Sequence, residues 1–202
     1  MKRKALIISI KGTNLSTMEK KLLSKEKPWG VILFKRNLKS FKQIKRLTST
    51  IRSLTKDRKF PIIIDEEGLK VSRLSNVINH KISARFFGRL FEKDKKFCTN
   101  IYQRYITSLC KIFREIGINI NTIPVLDVLR KNTHEVIGNR SFSSNKKIVK
   151  KLGKLTINFL HSKKIAGIIK HIPGHGASTV DSHKKMPKVF LKVKVSKPPA
   201  QL

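Results

Sequence analysis

Residues 165–187 read Ile165-Ala-Gly-Ile-Ile-Lys-His-Ile-Pro-Gly-His-Gly-Ala-Ser-Thr-Val-Asp-Ser-His-Lys-Lys-Met-Pro187, and they join a short apolar run to a polar, glycine-rich loop. The run 165–169 is typical of a buried strand. Three histidines, a lysine and an aspartate follow it within fourteen residues. A polar loop that leaves the end of a strand is where α/β barrels hold their active-site residues. The stretch therefore predicts an α/β fold with its chemistry at the end of this strand.

Asp181 and His183 stand two residues apart in this loop, close enough for a carboxylate to orient an imidazole and tune its basicity. This spacing indicates an acid/base pair. The alternative is a metal site, because three histidines and an aspartate are suitable zinc ligands. Their spacing matches no standard ligand pattern, which favours the acid/base pair.

Short apolar runs alternate with helix-like segments along the rest of the chain. The predicted strands are residues 5–10, 30–34, 60–64, 118–125 and 165–169. The predicted helices are a short one with the capping box Ser16-Thr-Met-Glu19, residues 41–56 capped by Ser40, a mostly helical region 82–116 in one or two pieces, and residues 145–163. Such alternation predicts a parallel sheet with right-handed crossovers.

The chain has 202 residues, enough for one domain with a hydrophobic core. No apolar stretch reaches the ~18 residues that a membrane span needs. Residues 1–10 have a basic start and only a short apolar run, which indicates a strand and not a signal peptide. Cys98 and Cys110 form no disulfide-rich pattern and suit a reducing compartment. We therefore expect a cytoplasmic protein with no membrane span.

The net charge is +34, from 46 lysines and arginines against 12 acidic residues. A charge of this size suggests nucleic acid as a partner. The lysines are scattered over nearly every segment and form no arginine-rich block, so we expect only nonspecific, salt-sensitive binding to polyanions. Three of the few acids are consecutive, Asp65, Glu66 and Glu67, directly after a predicted strand. This carboxylate cluster is a second candidate for a functional site.

Several ordered motifs resemble glycoside hydrolase family 3, and within it the bacterial β-N-acetylhexosaminidases of cell-wall recycling. That family carries Lys-His-Phe-Pro-Gly-His-Gly and then Asp-Ser-His, which are similar to residues 170–176 and 181–183 here. Residues 65–74 are similar to its Asp-Gln-Glu-Gly-Gly-Arg-Val-x-Arg-Leu motif. Further similar segments are residues 30–37 of the second strand, 121–128 and 137–142. The resemblance runs from about residue 5 to 188.

The resemblance implies a (β/α)8 barrel of the TIM type. A complete barrel typically takes about 250 residues. With five predicted strands, we expect an incomplete barrel of about the first five βα units. Residues 1–188 form this partial catalytic barrel in our interpretation. Residues 189–202 do not resemble the family's continuation and are interpreted as an atypical tail, as after a frame change or a truncation.

The resemblance also implies roles for individual residues. The expected substrate-binding residues are Asp65, Arg73, Arg140, Lys170 and His171. His183 is expected to protonate the glycosidic oxygen and later activate water, while Asp181 holds its tautomer. An imidazole titrates near neutral pH and suits both steps. Asp127 lies at a buried strand end, where we expect it to anchor a neighbouring loop and not to contact substrate.

Retaining glycosidases also need a carboxylate nucleophile. In the family this is an aspartate of a later motif, and no acidic residue follows Asp181 in this chain. The resemblance therefore implies that the nucleophile is absent from the chain. Other departures from the family pattern are Leu69 for a glycine, Lys70 for an arginine and Asn139 for an aspartate.

The expected function is release of terminal β-linked N-acetylglucosamine from an N-acetylglucosaminyl-anhydromuramyl saccharide of recycled peptidoglycan, by a retaining mechanism. No metal or organic cofactor is implied, and the completed protein is expected to be a monomer. One alternative is a catalytically inactive, poorly stable remnant that binds sugars or nothing. Another is a basic RNA-associated module.

Overall fold

Five parallel strands form one sheet in the order β1-β2-β3-β4-β5 in the computed structural model, which describes residues 3–187. The strands are β1 (Lys4–Ser9), β2 (Pro28–Leu33), β3 (Ile62–Ile64), β4 (Ile120–Asn121) and β5 (Ala166–Gly167). The helices are α1 (Thr17–Lys25), α2 (Phe41–Thr55), α3 (Ala84–Lys93), α4 (Lys95–Glu115) and α5 (Lys146–Ser162). Each neighbouring pair of strands is joined through one helix, or through α3 and α4 between β3 and β4. These are successive βα units.

The two side-chain caps that the sequence predicts, at the starts of α1 and α2, are present. Ser16 accepts a hydrogen bond from Glu19 N at 3.2 Å, and the Glu19 carboxylate accepts one from Ser16 N at 2.7 Å, which completes the predicted capping box. Ser40 accepts from Gln43 N at 3.2 Å and caps α2. These contacts satisfy backbone N–H groups that have no partner within the helix.

The core lies between the sheet and its helices. Strand β3 is buried along its whole length, as expected for a central strand of a parallel sheet covered by helices. Helix α4 directs one apolar stripe inward, and Cys98 and Cys110 are free, buried members of it. At the sheet edges Leu6 and Ile7 of β1 and Ile169 after β5 are exposed.

The predicted α/β class and parallel sheet are confirmed, but several predicted bounds are wrong. The predicted strands 118–125 and 165–169 are reduced to β4 and β5, with one further bridge between Val125 and Lys170. Pro124 interrupts the first of these runs, because proline has no N–H for a strand ladder. The region 82–116 is two helices, divided at Asp94, which caps α4. The predicted tail 189–202 lies outside the described residues.

The carboxyl ends of the five strands share one edge of the sheet. Residues 65–67 follow β3, residues 122–128 follow β4, and residues 168–183 follow β5. The topology therefore brings segments more than 100 residues apart to one place.

Within residues 3–187, no helix is both long and apolar enough to cross a bilayer.

Candidate active site

A cleft of about 360 Å³ opens at this carboxyl edge. Its lining consists of Asp65, Glu67, Lys70, Val71, Arg73, Val136, Ile137, Arg140, Lys170, His171, His175, Asp181, Ser182 and His183. All seven residues for which the sequence predicts a substrate-binding or catalytic role are among them. The structure therefore brings the predicted residues together, while their roles remain predictions.

Asp65 lies directly after β3 and is surrounded by donors. Lys170 Nζ lies 3.2 Å from Oδ1, Arg73 Nη2 lies 3.3 Å from Oδ2, and the Thr122 hydroxyl donates to Oδ1. Burial alone would raise the pKa of Asp65, but the charge of Lys170 and these hydrogen bonds together hold the pKa below its usual value. Asp65 is therefore an ionised, oriented acceptor at the cleft wall.

Glu67 joins two of the predicted sugar-binding cations, a role that sequence reasoning missed. Its carboxylate accepts from Arg140 Nε at 2.6 Å and from Arg140 Nη2 at 2.9 Å, and Lys170 Nζ lies 2.5 Å from Oε1. Burial alone would lower the pKa of Arg140, yet the hydrogen bond and charge of Glu67 raise it. The only sequence signal was the acidic triplet, because Arg140 is 73 residues away from Glu67.

Glu66 points away from the cleft and organises the loop behind it. The residue is fully buried, and its Oε2 accepts from the backbone N–H groups of Arg73 and Leu74, both at 2.9 Å. Gly68 makes the tight turn in this loop with φ of 133°, and a Cβ there would lie 2.2 Å from the Ile82 carbonyl oxygen. The close approach is thus at Gly68, and Leu69, which replaces a family glycine, keeps a half-exposed side chain.

Asp127 anchors the glycine-rich loop, as expected from its position after β4. Its Oδ2 lies 2.5 Å from His171 Nδ1, and its Oδ1 accepts from the backbone N–H of His175. Burial would raise the pKa of Asp127, but the hydrogen bonds from His171 and His175 lower it. The His171 ring is thereby oriented at the wall of the cleft.

Asp181 and His183 form the predicted pair. Asp181 Oδ1 lies 2.7 Å from His183 Nδ1 and accepts from His183 N at 3.0 Å. The backbone and side-chain hydrogen bonds from His183 hold the pKa of Asp181 below its usual value. The His183 side chain is 83% exposed, so its other ring nitrogen, Nε2, is open to the cleft and solvent. The geometry suits an imidazole that exchanges a proton through Nε2.

A turn at residues 130–134 holds the loop that carries this pair. Thr133 donates from its hydroxyl to the Gly176 carbonyl at 2.5 Å, and His134 N donates to the Ser178 carbonyl at 3.0 Å. Gly176 lies so close to the segment that follows β4 that a Cβ would be 2.2 Å from Val128 O. Lys70 donates to the carbonyl of Glu135, which ties the opposite wall of the cleft to the same turn region.

No group of three or more His, Cys, Asp or Glu side chains has a metal-binding arrangement within residues 3–187. Asp127 pairs with His171, and Asp181 pairs with His183.

The fold and cleft define a parallel α/β domain of the barrel type with an ionic site at the strand ends. The family model of the Glycosyl hydrolase family 3 N terminal domain matches residues 3–195. The chain belongs to this family. The match continues past residue 188, and the boundary predicted there for the tail remains a prediction.

Two kinds of relative agree with this assignment. The beta-hexosaminidase of Xanthomonas axonopodis pv. citri is 31% identical over 178 residues, which is 88% of this chain and 52% of the relative. Native NagZ from Neisseria gonorrhoeae has a TM-score of 0.84 at 30% identity, over 92% of this chain and 54% of its own. A second NagZ structure from that organism, in complex with N-trifluoroacetyl-D-glucosamine, has a TM-score of 0.83 at 30% identity. The chain spans about half the length of these relatives.

Proposed function

We propose that the chain supplies the sugar-binding and acid/base half of a retaining β-N-acetylhexosaminidase. The observation that carries this proposal is the single cleft that holds Asp65, its two cations and the Asp181–His183 pair. The likeness to NagZ, one structure of which contains an N-acylated glucosamine analogue, supports the choice of sugar.

The cleft contains charged groups in fixed positions that can form hydrogen bonds with an uncharged polyol such as a sugar. A carboxylate accepts from two vicinal hydroxyls, and hydrogen bonds to charged groups are the stronger kind. Asp65 keeps Lys170 and Arg73 beside it, so the site presents acceptors and donors side by side. Because these groups are already oriented by one another, a sugar that binds does not have to order them.

The acid/base step uses His183 with Asp181. Asp181 accepts from Nδ1, which leaves Nε2 to give a proton to the glycosidic oxygen as the bond breaks. The same nitrogen then takes a proton from the water that attacks the covalent intermediate. Asp181 stabilises the charged imidazole in the first state and orients the neutral one in the second.

The nucleophile in this proposal comes from no carboxylate among residues 3–187. Glu67 is held by Arg140 and Lys170, and Glu66 is fully buried behind the cleft. Asp65 and Asp127 are likewise engaged with cations or histidine. The second candidate function is therefore sugar binding without turnover. A peptidoglycan-derived saccharide as the substrate and a cytoplasmic location belong to the same proposal.

The test is titration of the 202-residue protein with N-acetylglucosamine, followed by calorimetry or NMR. Asp65→Asn should weaken binding about 10- to 150-fold, which corresponds to one charge-assisted hydrogen bond of ~1.5–3 kcal/mol. Asp94→Asn is the matched control, since Asp94 caps α4, does not line the cleft, and asparagine is an equally good cap. Unchanged affinity in a folded Asp65→Asn protein would remove Asp65 from the site.

A turnover assay tests whether the nucleophile lies outside the described residues. The protein is assayed with an aryl β-N-acetylglucosaminide beside a variant that carries both Asp181→Ala and His183→Ala. Product release above this background would contradict the proposal, because it would require a carboxylate nucleophile within the chain. Sugar binding with no release is the expected result, and binding that collapses as salt is raised supports nonspecific polyanion binding instead.

A further inference from the structure

Glu66 lies behind the cleft and connects the rim of the cleft to the interior of the domain. Glu66 Oε1 lies 2.7 Å from Nδ1 of His80, while Oε2 accepts from the backbone N–H groups of Arg73 and Leu74. The side chains of Glu66 and His80 are 0% and 4% exposed. Because three donors share this buried carboxylate, its removal would leave several polar groups without hydrogen-bond partners.

The chain of contacts continues from His80 into helix α4. The second ring nitrogen, Nε2, is hydrogen-bonded to the hydroxyl of Tyr105, and the two rings lie 5.4 Å apart. Burial raises the pKa of Tyr105 far above its usual value, so the phenol keeps its proton. In the neutral form of His80, Nδ1–H donates to the Glu66 carboxylate, which can only accept, and Nε2 accepts from the Tyr105 hydroxyl; this arrangement is the Nδ1–H tautomer.

The position of Arg73 depends on these hydrogen bonds, because the side chain of Arg73 makes only weak contacts of its own. The guanidinium makes one hydrogen bond of 3.3 Å to Asp65 and stacks over Phe34 with its carbon 5.6 Å from the ring centre. Its Nε is buried and has no acceptor among the described residues. The tightest restraint on Arg73 is therefore its backbone N–H, which donates to Glu66 at 2.9 Å.

We propose that Tyr105, His80 and Glu66 form a positioning relay that fixes Arg73 at the cleft. None of the three contributes to the cleft lining formed by the described residues. They act through the backbone of the loop, so His80 and Tyr105 are positioning residues and not catalytic ones. The functional meaning of the relay rests on the proposed sugar site, whereas its effect on Arg73 is testable without sugar.

The first test uses NMR of the unliganded 202-residue protein. The ¹⁵N shifts of the His80 ring are expected to report Nδ1–H and an unprotonated, hydrogen-bonded Nε2. In Tyr105→Phe, which removes only the hydroxyl, the Nε–H signal of Arg73 should shift or broaden. A wild-type His80 found as the Nε2–H tautomer would overturn the relay even if the variant failed to fold.

Tyr102→Phe is the matched control. Tyr102 lies one turn earlier on α4 and also loses a buried hydroxyl contact, since its OH is 2.7 Å from Thr156 Oγ1. It is expected to leave the His80 and Arg73 signals in place. Equal changes in both variants, or no change of the Arg73 signal in Tyr105→Phe, would reject the relay in favour of general core packing.

The second test measures N-acetylglucosamine affinity. Tyr105→Phe should weaken it about 2- to 10-fold, the factor expected for loss of one neutral hydrogen bond, and Tyr102→Phe should not. Unchanged affinity in Tyr105→Phe beside an altered Arg73 signal would reject the relay's part in sugar binding. A wild-type protein that binds no N-acetylglucosamine counts against the proposed function alone, and the NMR result then still decides whether Arg73 is positioned by the relay.

Discussion

Replacement of Glu67 by alanine should destabilise the protein strongly, because Glu67 is the buried counter-ion that two partly buried cations share. Its side chain is 4% exposed, beside Arg140 at 11% and Lys170 at 17%. The variant leaves both cations in a site largely shielded from water. An unpaired buried charge costs much more than an exposed one, since water no longer solvates it.

The remaining contacts set the size of the effect. Removal of one partner of a buried ion pair typically costs about 3–5 kcal/mol. Arg140 retains a 3.0 Å hydrogen bond to the Val136 carbonyl, and Lys170 retains Asp65 at 3.2 Å and Thr122 at 2.8 Å. We therefore expect the lower end of the range, about 3 kcal/mol. A loss of this size is a large fraction of the ~5–15 kcal/mol that stabilises an ordinary domain.

Urea unfolding followed by circular dichroism and by the fluorescence of the one tryptophan, Trp29, measures this loss. The midpoint should fall while the slope with urea stays constant. Glu26→Ala is the control, because the Lys4–Glu26 pair is more than half exposed and should contribute little. A Glu67→Ala protein within about 1 kcal/mol of wild type, the range of a surface ion pair, would refute the buried bridge.

Two further predictions concern the glycine-rich loop. Gly176→Ala should cost about 1–3 kcal/mol in the same unfolding assay because its Cβ would clash with the carbonyl of Val128, whereas Gly12→Ala meets no atom within 4 Å and should be neutral; equal effects would refute the clash. The lowered pKa of Asp127 predicts that its contribution is complete above the usual value of 3.8 and is lost as the pH falls through the lower, folded value. Stability should therefore drop in this acidic window, and Asp127→Asn should flatten that drop; an unchanged slope would contradict the anchor.

Local patterns were sufficient to predict the α/β class and the parallel sheet, whereas the barrel followed from the family resemblance. The capping residues Ser16 and Ser40 and the periodic apolar positions are contained in short windows, so α1 and α2 begin where the sequence indicates. The strand bounds were less predictable. A strand can pair only as far as the neighbouring strand extends, which a single segment of sequence does not show. The run 118–125 also contains Pro124, whose effect on pairing depends on the adjacent strand. The division at Asp94 was available as a cap signal within the helical region.

The candidate site was predictable where residues stand in ordered motifs, and not where their partners are remote. Asp181 and His183 are two residues apart, and their contact follows from spacing alone. The role of Glu67 depends on Arg140, 73 residues on, and His80 depends on Tyr105, 25 residues on. Both partners come from other elements of the fold. Neither pairing leaves a periodic signal in the sequence, so only the assembled domain identifies them.

Most cations of the cleft are paired with carboxylates, although the chain as a whole has a large net positive charge. The protein carries +34, but three of the four lysines and arginines that line the cleft are paired with carboxylates: Arg73 with Asp65, Arg140 with Glu67, and Lys170 with both. The fourth, Lys70, donates to the carbonyl of Glu135. A site for a polyanion gains affinity because its free cations neutralise the polyanion and release the bound counter-ions into solution, and binding then weakens steeply with salt. Paired cations have little left to neutralise, yet they still offer directed hydrogen bonds to uncharged hydroxyls. The cleft is therefore suited to a neutral sugar, whereas we expect any weak, salt-sensitive binding of polyanions to involve the lysines scattered over the surface.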